Sequence, residues 1–325
     1  MRAVYITSFG GPENLEIRDV PDPPRPGPGQ ALVRVRAAGL NRADLLQRRG
    51  SYPPPNGFSP NIPGLEFAGE VAETADARFQ AGDRVFGITA GEAQAEFLLS
   101  DVRLLVRIPD QLSFIEAAAV PEVFITAHDA VFTQGKLKQG ETLLVHAVGS
   151  GVGLAAVQLA RAVGARTIGT SRTADKLDRA NKFGLDEGIL TAGDAGFAEE
   201  FKAKTPGGAD VILDLVGGTY LAQNLECLAM KGRLLLVGLV AGRRSEIDLG
   251  LVLSRRLKII GTVLRSRSLD EKAAATERFA RDVVPLLESK SVAPVVDRVF
   301  SFKDVSASHE YLESNESFGK VVLEF

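Results

Sequence analysis

The sequence predicts an α/β fold: a doubly wound parallel sheet inserted into a second, β-rich domain. Three observations carry that prediction. Residues Thr142 to Ala165 read TLLVHAVGSGVGLAAVQLARAVGA, an apolar run, a glycine turn and an apolar face at helical spacing. Short apolar runs then alternate with helical patterns as far as Leu264, as in a parallel sheet with helices between its strands. The flanking segments carry short strands bounded by glycine and proline, and the tail repeats the style of the first part. The expected boundaries are 1–121 with 266–325 for the outer domain and 122–265 for the insert.

The outer domain opens with Arg2 to Ile6 and Leu15 to Val20, which flank Gly10-Gly11-Pro12 and predict a hairpin. After the proline-rich loop Pro21 to Gly29, the run Ala31 to Ala37 alternates. Val33 and Val35 fall on one face; Leu32, Arg34 and Arg36 fall on the other, read as solvated. A short polar helix covers Asn41 to Arg49, and Gly50 to Pro63 is an irregular loop. Strands follow at Phe67 to Thr74, Arg84 to Ile88 and Ala95 to Leu99. Ser113 with Glu116 three residues on is a capping box that starts a helix; Pro121 breaks it, and Glu122 to Gln134 resumes as helix.

In the insert, strands are expected at Leu143–Ala147, Arg166–Thr170, Gly188–Leu190, Asp210–Val216, Arg233–Leu239 and Leu257–Leu264. Helices fit at Val152–Val163, Asp175–Phe183, Ala198–Lys204 and Leu221–Met230. One more helix spans Glu271–Ser289, and the tail returns to strands at Val292–Phe300 and Lys320–Phe325 around a helix at Asp304–Leu312.

Composition narrows the class. The chain has 325 residues, 45% hydrophobic and 24% charged, enough for about two domains with a substantial core. A formal charge of −3 gives no general attraction to nucleic acid or to an anionic membrane. The single cysteine, Cys227, excludes an intramolecular disulfide framework and fits a reducing compartment. The first residues lack the apolar core of a secretory signal, and the three glycines with His146 and Gln158 argue against a membrane span at Thr142 to Ala160. A cytoplasmic location is the expectation.

Strand, glycine turn and helix make the first half of a dinucleotide-binding unit, in which backbone N–H groups and the helix N-terminus face a pyrophosphate. The usual G-x-G-x-x-G spacing is not met: with Gly153 as third glycine, the first two positions hold Val148 and Ser150. A packing turn with no ligand is the competing reading. The end of the second strand then speaks to the cofactor. It reads Gly169-Thr170-Ser171-Arg172, with Lys176 a helical turn on and no carboxylate where an NAD-type unit holds the ribose 2′-OH. A hydroxyl and two cations suit a 2′-phosphate, so NADPH is expected; a solvated helix start is the alternative.

Taken together, the motifs are similar to those of the zinc-free quinone oxidoreductases of the medium-chain dehydrogenase/reductase superfamily, closest to the p53-inducible-gene type. The resemblance spans the chain: GGPENL at 10–15, LNRADLLQRRGSYPPP at 40–55, GLE at 64–66, AAAVPEVFITA at 117–127, HAVGSGVGLAAVQLA at 146–160, VLRSR at 263–267 and SFGKVVLE at 317–324. It implies a GroES-like catalytic domain beside a Rossmann domain, with the active site in the cleft between, and NADPH reducing a quinone without metal or flavin. It further implies nicotinamide or substrate roles for Asn41, Asp44, Tyr52 and Thr126, and phosphate or adenosine contacts at Ser150, Gly151, Val152, Gly153, Ser171 and Lys176, joined by Arg172 from the residue reading. Gly238, Leu239, Leu264, Arg265, Ser266 and Lys320 map onto loops that cover the cofactor, and Glu66 onto a structural glutamate. A homodimer through the sheet edge of the nucleotide domain is the family expectation. Two positions depart from the pattern: Val148, where relatives have glycine, and Thr191, where many have a tyrosine.

Zinc relatives of this architecture need thiolate and imidazole ligands. Here Leu65 stands where they carry histidine, Asn41 lies where their cysteine turn starts, and His128, His146 and His309 have no partner at motif spacing. No catalytic metal is expected. Without a Lewis acid, hydrogen-bond donors must stabilise the developing oxyanion. Tyr52, with Asn41, is the first choice for the polar contact; a tyrosine that merely packs the proline loop is the alternative. Arg265 and Arg267 read either as solvated charges or as phosphate contacts. An enone or 2-enoyl reductase, or an NADPH-binding protein with little turnover, are the rival functions.

Overall fold

The computed structural model describes residues 1–191 and 196–325. It divides into two compact units, one of residues 1–125 with 264–325 and one of residues 126–263.

The first unit begins with the hairpin β1 (Arg2–Ile6) and β2 (Leu15–Asp19), paired antiparallel. Then come β3 (Gln30–Gly39), α1 (Arg42–Arg48), β4 (Glu66–Thr74), β5 (Arg84–Ile88), β6 (Phe97–Asp101) and the short β7 (Leu105–Arg107). Alternation in β3 does what the sequence predicts: Val33 and Val35 are buried, while Arg36 reaches Glu70 at 2.7 Å and Arg34 lies over the Phe97 ring. Ser113 caps α2 (Phe114–Ala118) through the expected box with Glu116. α3 (Pro121–His128) follows, and the predicted continuous helix to Gln134 widens instead into π-type turns at Asp129–Gln134.

The second unit holds the parallel sheet: β8 (Thr142–Val145), α4 (Gly151–Ala162), β9 (Arg166–Ser171), α5 (Ala174–Asn181), β10 (Glu187–Leu190), α6 (Ala198–Lys204), β11 (Ala209–Asp214), α7 (Tyr220–Cys227), β12 (Leu228–Leu236), α8 (Leu249–Arg255) and β13 (Lys258–Gly261). Among the described residues the strand order is β10-β9-β8-β11-β12-β13, all parallel. The order reverses between β8 and β11, as in a nucleotide-binding Rossmann sheet. Its apolar core joins Leu144, Ile168 and Ile212 of the sheet to Phe197, Phe201 and Leu225. Most boundaries shift from expectation by one to three residues, such as β13 at Lys258–Gly261 in place of Leu257–Leu264, and two differences are larger. Leu228 to Met230 starts β12 rather than ending a helix, and α8 was not foreseen; Asp248 caps it through the N–H groups of Gly250 and Leu251.

The chain returns to the first unit with α9 (Leu269–Asp282), α10 (Val284–Glu288), β14 (Val296–Ser301), α11 (Val305–Glu313) and β15 (Lys320–Glu324). The single helix expected over Glu271–Ser289 is broken because Pro285 has no N–H to continue the ladder. β15 pairs with β3, so the order β14-β15-β3-β4-β5-β7 closes one sheet from both ends of the chain. α9 seals it: Phe279 is fully buried with its ring 5.8 Å from that of Phe86 on β5. Phe279→Ala is expected to cost about 3–5 kcal/mol of unfolding free energy in urea titrations, since it removes a large ring from a closed core.

Candidate active site

In the first unit a charged network grows out of the β15-β3-β4 register. Gly39 at the end of β3 pairs with Glu66, the first residue of β4, and with Val322 of β15. A side chain at Gly39 would lie 2.5 Å from Glu66 Oε1, so glycine makes room for the carboxylate. Glu66 is fully buried and Lys320 is 4% exposed. The Lys320 ammonium donates to Glu66 Oε1 at 2.5 Å, to the Leu40 carbonyl at 2.5 Å and to Asn41 Oδ1 at 2.8 Å. Asn41 Nδ2 donates back to Glu66 Oε1 at 2.9 Å, and the Glu122 N–H donates to Glu66 Oε2 at 2.8 Å. Every polar atom of the pair is met, the condition under which a buried ion pair is tolerated. Glu66 is thus structural, as expected. Lys320, expected over a cofactor, spends all three protons on its own unit.

Asp44, also fully buried, accepts from the N–H groups of Asn41 at 2.8 Å and Gly64 at 3.0 Å. Burial pushes its carboxyl up to about 6, against those bonds. Arg265 is neither solvated nor open to a phosphate, the two readings the sequence allowed. It is 4% exposed and donates to the Ala90 carbonyl at 2.8 Å, the Tyr52 carbonyl at 2.9 Å and Gln47 Oε1. Its guanidinium also lies over the Tyr52 ring at 5.1 Å, which ties the loop carrying Tyr52 to the segment before α9. Burial raises the Tyr52 phenol above its ordinary range. Leu264 is buried and Ser266 exposed.

Sequence reasoning passed over Glu122, seen there only as the start of a helix. Partly exposed, it lies among Glu66, Lys320, Asp44 and Arg265, and burial together with the Glu66 charge pushes its carboxyl up to about 8. The available signal was a carboxylate set inside the apolar run AAAVPEVF.

In the second unit the β8–α4 turn forms without glycine at its left-handed residue, which is Ala147 with φ 50°. Val148 is buried and packs where a side chain on Gly169 would come within 2.8 Å of it, so the valine and the glycine of β9 are complementary. Gly153 is required, because a Cβ there would meet the Val148 carbonyl at 2.7 Å. Ser150 caps α4 by accepting from Gly153 N–H at 3.1 Å, which leaves its hydroxyl proton free to donate outward. Gly151 and Val152 form the first turn of α4, half-buried. At the end of β9, buried Ser171 accepts from Thr173 N–H at 3.2 Å and keeps its own proton; Arg172 is exposed and Lys176 half-buried on α5. Gly238 and exposed Leu239 follow β12, and Thr126 lies half-buried on α3.

Beneath the turn His146 is a satisfied core histidine. Asp214 receives the N–H groups of Val216 and Gly217 on one oxygen at 2.8 Å and the Asn224 amide on the other at 3.0 Å. The Asn224 oxygen must then accept from His146 Nε2, at 2.5 Å, and His146 Nδ1 accepts from the Thr170 hydroxyl at 2.9 Å. This chain fixes one neutral tautomer and binds the ends of β8, β9 and β11 to α7.

Replacing Lys320 by Met would leave Glu66 buried without a counter-charge. A loss of about 3–5 kcal/mol is expected in denaturant unfolding, and Glu66→Gln added to it should restore a large part.

Comparison with known proteins places these elements in a family. Residues 27–110 match the alcohol dehydrogenase GroES-like domain, and residues 151–281 match the zinc-binding dehydrogenase family. The human quinone oxidoreductase is 30% identical over 329 residues, covering 99% of this chain and 97% of that protein. The human synaptic vesicle membrane protein VAT-1 homolog is 30% identical over 343 residues, covering 99% and 86%. The crystal structure of Escherichia coli quinone oxidoreductase complexed with NADPH superposes with a TM-score of 0.89 at 28% identity, covering 100% of both chains. One family description names zinc, and the donor set here does not fit it. Leu65 has no ligating atom, Asn41 and Glu66 are bound to an ammonium, and Cys227 is buried with its thiol pushed up to about 12. Among the described residues no three His, Cys, Asp or Glu side chains converge as a metal would need. With its two matching domains and a full-length relative at 30% identity, the chain belongs to the medium-chain dehydrogenase/reductase superfamily.

Proposed function

We propose that the protein is an NADPH-dependent quinone oxidoreductase that reduces its acceptor without metal or flavin. The observation that carries this reading is the donor set around Asn41 and Tyr52. It holds a buried ammonium, a phenol and a carboxyl, and lacks the ligands zinc would require. NADPH, when bound, supplies the hydride.

The chain's own residues divide the remaining work. Ser150, Gly151, Val152 and Gly153 present a capped helix N-terminus and a spare hydroxyl proton to a pyrophosphate. Ser171, Arg172 and Lys176 offer a hydroxyl and two cations to the 2′-phosphate. Thr126, Gly238, Leu239, Leu264 and Ser266 border the cofactor, whereas Arg265 and Lys320 act indirectly, by fixing Tyr52 and Asn41. Tyr52 orients the acceptor carbonyl, and Asn41, its amide engaged by Glu66, Gly39 and Lys320, shapes the site beside it. An enone is the second acceptor class, because this donor addresses only a carbonyl oxygen.

A homodimer fits the outer edge of the second unit. β13 pairs only with β12 among the described residues, and on α8 Leu249 and Leu253 are 71% and 79% exposed one turn apart. A second copy, placed by a two-fold axis, would cover both strand edge and leucines.

A screen of NADPH and NADH against ortho-quinones, para-quinones and enones tests the reading. NADPH consumption with a quinone is expected; tight NADPH binding with no consumption by any acceptor would defeat it. Arg172→Ala should weaken NADPH binding roughly 10- to 100-fold, as for the loss of one charge-assisted contact, and adding Lys176→Ala should weaken it further, with NADH binding unchanged in both. Leu253→Glu should convert a dimer to a monomer in light scattering without lowering the melting temperature of the second unit.

A further inference from the structure

Gln47 is a buried polar residue of α1 to which the quinone reading gives no task. It is 1% exposed, and every partner of its amide lies outside the helix. Nε2 donates to the Pro60 carbonyl at 3.0 Å and to the Ile62 carbonyl at 3.4 Å, while Oε1 accepts from Arg265. The amide cannot be turned round, because a guanidinium only donates and a carbonyl only accepts. Asp44, three residues earlier on the same helix face, accepts from the Gly64 N–H at 3.0 Å. One face of α1 therefore grips the chain from Pro60 to Gly64 with a donor and an acceptor.

The start of the same loop is held through the same residue. Arg265, whose Nη2 is taken by Gln47, donates from Nη1 to the Tyr52 carbonyl at 2.9 Å and covers the Tyr52 ring. Gln47 Nε2 thus fixes where the loop ends, and Gln47 Oε1 fixes the cation that holds its beginning. Between the two anchors stand Pro53, Pro54 and Pro55, which have no N–H with which to hold the loop themselves. The position asks for an amide. A glutamate would set its second oxygen against two carbonyls, a lysine would face Arg265 as a like charge, and a methionine would leave the buried guanidinium one bond short.

We propose that Gln47 is a positioning residue of the acceptor site: by closing the loop after α1 at both ends, its amide sets where the Tyr52 hydroxyl stands against the acceptor carbonyl. Gln47 acts through Arg265 and the loop and does not itself touch the acceptor. The assignment rests on the role given to Tyr52 in the quinone reading above.

The test joins steady-state kinetics on quinones to fluorine NMR of cofactor-free protein labelled with fluorotyrosine, for the wild type, Gln47→Met and Gln47→Glu. The chain has four tyrosines, and the resonance lost in Tyr52→Phe is that of Tyr52. In Gln47→Met that resonance should move toward the position of a solvated tyrosine. Its phenol should titrate at lower pH than in the wild type, since burial is what raises it. kcat/KM for the quinone should fall about 10- to 100-fold, the cost of an acceptor contact misplaced by about an ångström, while the NADPH dissociation constant holds. Gln47→Glu keeps a partner for Arg265 but loses the donor to Pro60 and Ile62, so both readouts should fall between those of the other two proteins. Phe279→Ala, which loosens the core of the same unit, should lower the melting temperature and leave the Tyr52 resonance and kcat/KM at their wild-type values; this separates positioning from a general loss of stability. Wild-type kcat/KM with an unmoved Tyr52 resonance in Gln47→Met overturns the proposal, and if that variant does not fold, the same result in Gln47→Glu overturns it. A wild type inactive on every acceptor defeats the quinone reading by itself; the Tyr52 resonance of the variants then decides for Gln47, displaced if its amide holds the loop and unmoved if it does not.

Discussion

The contact between Lys320 and Glu66 organises the first unit. It joins the last strand of the chain to β4 across β3, so the two ends of the sequence must fold together before either charge is neutralised. Its third member, Asn41, is held at the start of α1 with its amide spent on both charges. An uncompensated charge at this depth would be far costlier than the pair is stabilising. The network therefore fixes geometry more than it adds stability. The ammonium holds the Leu40 carbonyl, Asn41 and Glu66 together, and the neighbouring polar groups are arranged around it.

The second unit reaches rigidity by neutral means. Asp214 collects two backbone N–H groups and passes its polarity through Asn224 and His146 to Thr170, next to Ser171. The turn that would meet a pyrophosphate and the strand end that would read a ribose are thereby bound to the same buried chain. Val148 fills the space opposite Gly169, which explains why the shifted glycine pattern still builds the turn.

Much of this was legible in the sequence. Periodicity located the parallel strands and α4 to within a few residues, because apolar spacing and capping are local. The Ser113–Glu116 box and the tail's return to the first unit were legible for the same reason. What escaped depends on partners distant in the chain. Arg265 reads as a surface charge until the carbonyls of Ala90 and Tyr52 surround it. Lys320 reads as a cofactor contact until Glu66, 254 residues away, claims it. Glu122 shows nothing unusual until four charged groups gather round it. No spacing rule along a chain reports such encounters.

On the proposed reading, the Lys320 ammonium and not a metal ion holds Asn41 and Glu66 beside the acceptor. Metal content of the purified, catalytically active protein tests it most directly, with turnover followed before and after exhaustive chelation. Substoichiometric zinc and turnover that chelation leaves unchanged are expected; one zinc per chain, with activity lost on its removal and regained on its return, would contradict a metal-free acceptor site.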